Sequence, residues 1–373
     1  MDNGLNINHN LLNVSPRIAV IDSLRGMAIA AIFLIHTSNH FLYNNFPEDV
    51  SSLDSYLKSF LYFIFEGKAY TIFAVLFGFT FALQADNYKW RCGRDFGGVM
   101  LWRMVLLVLI GLVNGALFLG GDPLVFYALT MMLVIPLRNL STSWLTILAL
   151  VFLIQPLELL NSIFSLYDTT GHYSEYGILN SVLIEGNALS TFWAGMTVGI
   201  KGALKWALET GRFTQTIGLF LVGIIAYRHN IFNDAYKWTR HYIKYLVVTV
   251  VLYLLYIYVF DFFKTYYNLF FVLSVVSVFV KLEEYFKGKG LFSWLAIYGR
   301  LSLTNFVMQS LFGALLYYPW ALDLGSKLGV FCSVVITTFF LIIIQILFSK
   351  MWLFYFKRGP LEQLWYKATY LFK

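Results

Sequence analysis

Uninterrupted apolar runs of membrane-helix length recur along nearly the whole of this chain. A helix needs about 20 predominantly apolar residues to cross a bilayer. Only structures that satisfy every backbone polar group internally can do so. The runs are continuous and do not alternate at ten-residue intervals, so helices are expected and a β-barrel is not. Composition agrees: of 373 residues, 59% are hydrophobic and 13% charged, where a soluble surface alone is about a quarter or more charged. The fold class read from this is an all-α polytopic membrane protein.

Ten spans are expected, near 18–40, 59–85, 103–120, 124–138, 143–160, 213–228, 243–262, 266–282, 292–318 and 327–350. The sequence thus divides into a polar tail (1–16), one transmembrane helical domain (17–356) and an amphipathic tail (357–373). Segment 180–211 is less apolar and reads as an outer interfacial or re-entrant element; an eleventh span there would place flanking basic loops on opposite sides. With ten spans, Arg17, Lys89, Arg91, Arg94, Arg138, Arg228, Arg240, Lys281 and Lys357 share one side, and Glu48, Asp54, Asp122, Asp168 and Asp323 the other. The basic side is expected to be cytoplasmic, with both termini there. Lys201, Lys205 and Arg212 are exceptions to this pattern. The net charge of +7 thus reflects orientation, and nucleic acid is not an expected partner. The first apolar run reads as an uncleaved anchor.

Ionisable residues inside apolar runs are costly and mark functional sites by default. Asp22, Arg25 and His36 fall in the first run. Asp22 and Arg25 are one turn apart. His36 follows Arg25 by eleven positions, just over three turns, which places both on one helix face about 16 Å apart. Arg25 is a candidate anion ligand and His36 a candidate general base; a structural ion pair with a core histidine is the competing reading. Glu66 and Lys68 lie two residues apart in the second run. They need separate partners, or the helix breaks at Gly67. Glu66 could orient His36, as carboxylates orient catalytic imidazoles, or it could join an interhelical salt bridge. Asp122, in Gly120-Gly-Asp-Pro123, is either a substrate contact or a turn residue. Asn305 and Gln309, one turn apart, either line a cavity or hydrogen-bond across helices. Arg358-Gly-Pro-Leu-Glu362 ends the last long helix ahead of a short amphipathic one. The two cysteines, Cys92 and Cys332, suggest neither a metal site nor a disulfide. No phosphate-binding loop, hydrolase elbow or zinc motif is present, and no metal is expected.

Taken together, Asp22-Ser-Leu-Arg25-Gly26, Glu66-Gly-Lys-Ala-Tyr-Thr-Ile-Phe-Ala-Val-Leu-Phe-Gly78, Gly121-Asp-Pro-Leu-Val-Phe-Tyr127, Gly299-Arg-Leu-Ser-Leu-Thr-Asn305 with Gln309, and Arg358-Gly-Pro-Leu-Glu362 resemble the YeiB-like family of bacterial membrane proteins, the domain of unknown function 418. The Asp-x-Leu-Arg pattern with its later histidine is also similar to the first helix of the acyltransferase-3 family. That second resemblance implies a ten-helix enzyme of the bacterial inner membrane. It would take an acyl group from cytoplasmic acyl-CoA, acetyl-CoA in the simplest case, to an extracytoplasmic hydroxyl or amine of a glycan or envelope component. Arg25, Arg103 and Arg300 would then hold the donor, and His36 with Glu66 would activate the acceptor. Asp22, Lys68, Asp122, Asn305 and Gln309 would line the substrate path. Membrane lipid surrounds such a chain, and self-association is left open. A proton-coupled transporter or a non-catalytic envelope component are the alternatives.

Overall fold

The computed structural model describes residues 19–37, 52–93, 95–119, 123–232, 239–258, 263–286, 288–328 and 331–371. Among these residues the secondary structure is helical throughout. Among the described residues, six helical segments are long and apolar enough to cross a membrane: Ala19–His36, Ser52–Cys92, Gly97–Gly115, Thr142–Asn161, Tyr266–Tyr285 and Val335–Tyr355. Pro123–Asn139 and Tyr242–Tyr258 are shorter apolar helices. Large apolar side chains face outward on several of these segments: Leu246, Val250 and Leu254 on one, Phe340, Ile344 and Leu347 on another. A water-exposed surface would not retain such stripes; hydrocarbon would cover them.

Two helix pairs form the closest crossings, and glycine makes both. Helix α1 (Ala19–His36) packs on Leu291–Arg300. A Cβ on Gly26 would lie 2.0 Å from the Leu295 carbonyl oxygen, and one on Gly299 would lie 2.0 Å from that of Asp22. The second pair is α3 (Lys68–Cys92) and α11 (Arg212–Arg228), where Gly78 meets the Phe220 carbonyl and Gly223 that of Val75. Small residues let backbones approach this closely where lipid offers no hydrophobic drive between helices.

Several apolar runs are broken helices. The second divides into α2 (Ser52–Phe65) and α3 at Gly67, which adopts φ 73°; an L side chain disfavours that conformation. This is the break anticipated between Glu66 and Lys68. The run near 143–160 bends at Gln155 (φ 52°), ahead of Pro156, into α6 (Thr142–Ile154) and α7 (Pro156–Phe164). The Gln155 side chain donates to the Gly211 carbonyl at 2.8 Å. The run near 292–318 divides at Leu301 into α14 (Leu291–Arg300) and α15 (Ser302–Tyr317). Between these lie α4 (Gly97–Gly115), α5 (Pro123–Val134), α12 (Tyr242–Tyr258) and α13 (Phe263–Tyr285), and the chain closes with α17 (Phe331–Tyr355) and α18 (Pro360–Thr369), α16 being the short helix Leu324–Leu328.

One end of the bundle carries the basic loops. There Arg138 forms a 2.5 Å ion pair with Asp95, and Arg228 donates to the carbonyls of Leu140 and Arg138. At the opposite end, α8 (Tyr173–Glu185), α9 (Ala188–Ala194) and α10 (Ile200–Glu209), the last two joined by a π-helical turn over Gly195–Gly199, pack on the ends of α4 and α5. Gly195 closes on the Gly115 carbonyl. The anomalous cations of this segment are matched locally. Lys201 and Lys205 reach Glu175 at 3.1 and 3.3 Å. Arg212 donates to Gln215 at 2.6 Å and stacks over Tyr70.

Candidate functional site

Arg25 and His36, three turns apart on α1, line one cavity of about 120 Å³. Tyr70, Phe73 and Phe77 of α3, Leu107 of α4, Leu124 and Tyr127 of α5, Phe306 of α15 and Trp365 of α18 complete most of its wall. The lining is mostly aromatic and aliphatic, with a cation at one level and an imidazole at the other. Such a site orients a ligand through a few polar groups. The shared face follows from helical spacing; the cavity exists because α3, α4, α5 and α15 all turn aromatic or branched side chains toward that face.

At the basic end, Arg25 stands 3.9 Å from the carboxylate of buried Asp22. Arg103 is buried, and its guanidinium lies 4.2 Å from the centre of the Trp365 ring. Its Nε has no hydrogen-bond acceptor. Trp365 therefore links the two arginines, since its ring also lines the cavity with Arg25. Arg300 ends α14, next to Gly299 at the crossing with α1. At the opposite level, His36 packs against Phe118 with ring centres 4.6 Å apart and meets Phe306 edge-on at 6.0 Å. Tyr127 donates to the Tyr70 carbonyl at 3.3 Å, and the hydroxyls of Tyr70 and Thr216 are in contact.

The remaining expected residues fall elsewhere. Lys68 is buried in an aromatic cage: its ammonium lies 4.8 Å from the Tyr267 ring centre, 5.5 Å from that of Phe271 and 5.6 Å from that of Phe63. It donates to the Tyr267 hydroxyl at 2.6 Å. Glu66 sits in the adjacent helix break, where its charge acts on Lys68. Asn305 and Gln309 are fully buried and belong to an interhelical network; neither lines the cavity. Asn305 donates to the Tyr298 carbonyl at 2.9 Å and to Ser349 at 3.0 Å. Gln309 donates to the Tyr298 hydroxyl at 2.8 Å, which in turn donates to Gln345 at 2.7 Å. Asp122 lies outside the described residues. Groups of three or more His, Cys, Asp or Glu side chains able to hold a metal are absent among the described residues.

The sequence reading did not find the part played by α18. It lies across the ends of α4 and α15, and Glu362 closes the break at Leu301. The Glu362 carboxylate accepts from the backbone N–H groups of Leu303 and Thr304 at 2.8 and 3.1 Å and from the Thr304 hydroxyl at 2.5 Å. These are first-turn N–H groups of α15, which have no partner within their own helix. A carboxylate supplied 58 and 59 positions along the chain thus does the work of an N-cap.

These features define a helical membrane protein with a partly open, cation-bearing cavity. The family described as "Protein of unknown function (DUF418)" matches residues 226–372. Over 95–96% of its length the chain aligns with three bacterial relatives. Uncharacterized protein YxaH of Bacillus subtilis (strain 168) is 26% identical over 395 residues, 95% of that protein. An uncharacterized 39.9 kDa protein in the amylase 3' region of Bacillus acidopullulyticus is 27% identical over 374 residues, 95% of its length. Uncharacterized protein YeiB of Escherichia coli (strain K12) is 25% identical over 399 residues, 96% of its length. The family match over the C-terminal part and the near-full-length likeness to YxaH and YeiB support a YeiB-like DUF418 family. No solved structure matches it.

Proposed function

We propose that this protein is a multi-pass acyltransferase of the bacterial inner membrane, with ten spans and both termini in the cytoplasm. It moves an acetyl-like group from cytoplasmic acyl-CoA to an extracytoplasmic hydroxyl or amine of a glycan or envelope component. The observation that carries the reading is the single cavity lined by Arg25 near the basic end and His36 three turns away.

Arg25, with Arg103 across Trp365 and Arg300 nearby on the α1 crossing, pairs with the donor's phosphates; guanidinium forks suit phosphate oxygens. The aromatic wall receives the donor's arm and acyl end. His36 takes the proton of the acceptor hydroxyl or amine as that atom attacks the thioester carbonyl. The carbon–sulfur bond then breaks, and the departing CoA thiolate takes the proton back from the imidazolium. Glu66 is the carboxylate assigned to orient His36; it lies in the Gly67 break, outside the cavity lining.

The test follows labelled acetyl groups from acetyl-CoA into envelope material in membranes containing the wild-type protein or His36→Ala. Incorporation present with wild type and reduced at least 100-fold in the variant is expected for loss of a general base. Equal incorporation by both would remove His36 from the mechanism.

A further inference from the structure

The cavity in this state is too small for the ligand assigned to it. Pockets for drug-sized molecules hold roughly 300–1,000 Å³, and a cavity of about 150 Å³ admits benzene. At about 120 Å³, this one has room for an acyl group and not for the arm that carries it. What fills the basic end is α18: the Trp365 indole forms part of the cavity wall at the level of Arg25.

α18 is attached by a set of polar contacts and by Leu361, Trp365 and Tyr370, which pack against the core. Glu362 accepts three hydrogen bonds from Leu303 and Thr304. Trp365 Nε1 donates to the Arg103 carbonyl at 3.0 Å, and Trp102 Nε1 donates to the Ala368 carbonyl at 3.1 Å. The Arg358 guanidinium lies 3.4 Å from the Tyr366 ring centre. Outward, Leu364 and Leu371 are 59% and 70% exposed. A short terminal helix whose apolar contacts are only partly buried opens at lower cost than a bundle core. Release of α18 would uncover one face of the buried Arg103 guanidinium, remove Trp365 from the cavity and widen access to Arg25, whose side chain is 21% exposed with α18 in place. Arg358-Gly-Pro-Leu-Glu362 is the joint. Gly359 leaves no space for a Cβ, which would lie 2.2 Å from the Glu362 carboxylate and 2.8 Å from Leu301, so the joint seats Glu362 against the α15 break.

We propose that α18 is a gate on the cavity, with Trp365 as its stopper and Glu362 as its latch, which must undock before a ligand larger than an acyl group fits against Arg25. Access through the gate does not depend on the chemistry inside; that the gate admits an acyl donor rests on the acyl-transfer reading.

The experiment measures modification of Ile32→Cys, a cavity-lining position on α1 between Arg25 and His36, in a background where Cys92 and Cys332 are serine. The purified full-length protein is treated with a charged methanethiosulfonate, alone and with Trp365→Ala or Glu362→Gln added. Trp365→Ala removes the stopper; Glu362→Gln leaves it in place and weakens the latch. Charge-assisted hydrogen bonds at this site make roughly a tenfold rise in rate the expected result for Glu362→Gln, with a larger rise for Trp365→Ala. A Trp365→Phe variant, which keeps most of the ring and loses the hydrogen bond to the Arg103 carbonyl, should rise less than Trp365→Ala. Thermal unfolding confirms that each variant is folded. An unchanged rate in folded Glu362→Gln overturns the gate, even if Trp365→Ala is faster, because that pattern reports a static hole. Since no acyl donor is used, this outcome is separate from failure of the acyl-transfer reading.

Discussion

Replacing Gly26 by alanine is expected to destabilise the protein more than almost any other single-methyl addition, because the new atom meets backbone. Its Cβ would lie 2.0 Å from the Leu295 carbonyl oxygen and 2.8 Å from the carbonyl carbon. Cβ contacts below 3.0 Å essentially never occur, so α1 and α14 must separate by about 1 Å or more. A peptide carbonyl in a helix cannot rotate away as a side-chain tip can. Overpacking costs typically about 1–3 kcal/mol, occasionally more, and the upper end applies here. Gly299→Ala strikes the same crossing from the other side, 2.0 Å from the Asp22 carbonyl oxygen. One separation relieves both clashes. The double variant should therefore cost about as much as the worse single variant, not the sum, a coupling of about 1–3 kcal/mol. Gly78→Ala perturbs the separate α3–α11 crossing and should add to Gly26→Ala. Gly98→Ala, with no atom within 4 Å, should be near neutral. Thermal unfolding in one detergent, followed by size-exclusion fluorescence, gives the ranking. A Gly26→Ala protein as stable as Gly98→Ala, or full additivity of the two crossing variants, would refute the reasoning.

Three further outcomes are expected. Lys68→Met keeps the aliphatic stem within the aromatic cage and loses the cation–π contacts and the Tyr267 hydrogen bond, about 1–3 kcal/mol, whereas Lys68→Ala also leaves a cavity and should cost about 2–5 kcal/mol. Equal melting temperatures for the two would show that the cage is not packed around the side chain. The Ser174 hydroxyl, Lys201 and Lys205 hold the Glu175 carboxyl down at about 2, against an ordinary 4.5. Because the folded value is depressed, its stabilising effect is complete above the unfolded value and fades as pH falls from about 4.5 toward 2. The melting-temperature gap between wild type and Glu175→Gln should accordingly narrow through that window, and a gap constant with pH would exclude the ion pairs as its cause. Asn305→Ala leaves Ser349 and the Tyr298 carbonyl short of a donor, so a loss of about 1–3 kcal/mol is expected in the same unfolding assay; a silent substitution would mean that the network is replaceable by water.

The shared face of Arg25 and His36 was legible because a helix period fixes it without knowledge of any neighbour. The break at Gly67 was legible as one of two alternatives, from a glycine between two charged residues in an apolar run. The bend at Gln155 had its signal in Pro156, which disfavours helix in the preceding residue, but the surrounding apolar run reads as one span. Other features depend on tertiary neighbours. Nothing local in Leu301-Ser-Leu-Thr304 marks a helix break; it persists because Glu362, more than fifty residues on, satisfies the exposed N–H groups. Asn305 and Gln309 have the spacing of a cavity face or a helix seam, and only the arrival of Tyr298, Gln345 and Ser349 decides for the seam. Trp365 is one more aromatic in a chain with 36 Phe, 25 Tyr and 10 Trp, so composition could not single it out as a wall of the cavity.

Binding of acetyl-CoA to the purified protein in detergent, wild type against Arg25→Ala, tests whether this cavity holds an acyl donor. An acyl-donor site at Arg25 predicts saturable binding by the wild type, weakened at least tenfold in a folded Arg25→Ala protein, as expected for loss of a charge-assisted phosphate contact. Equal affinity in the two proteins, or no binding of any acyl-CoA by folded wild type, would contradict it.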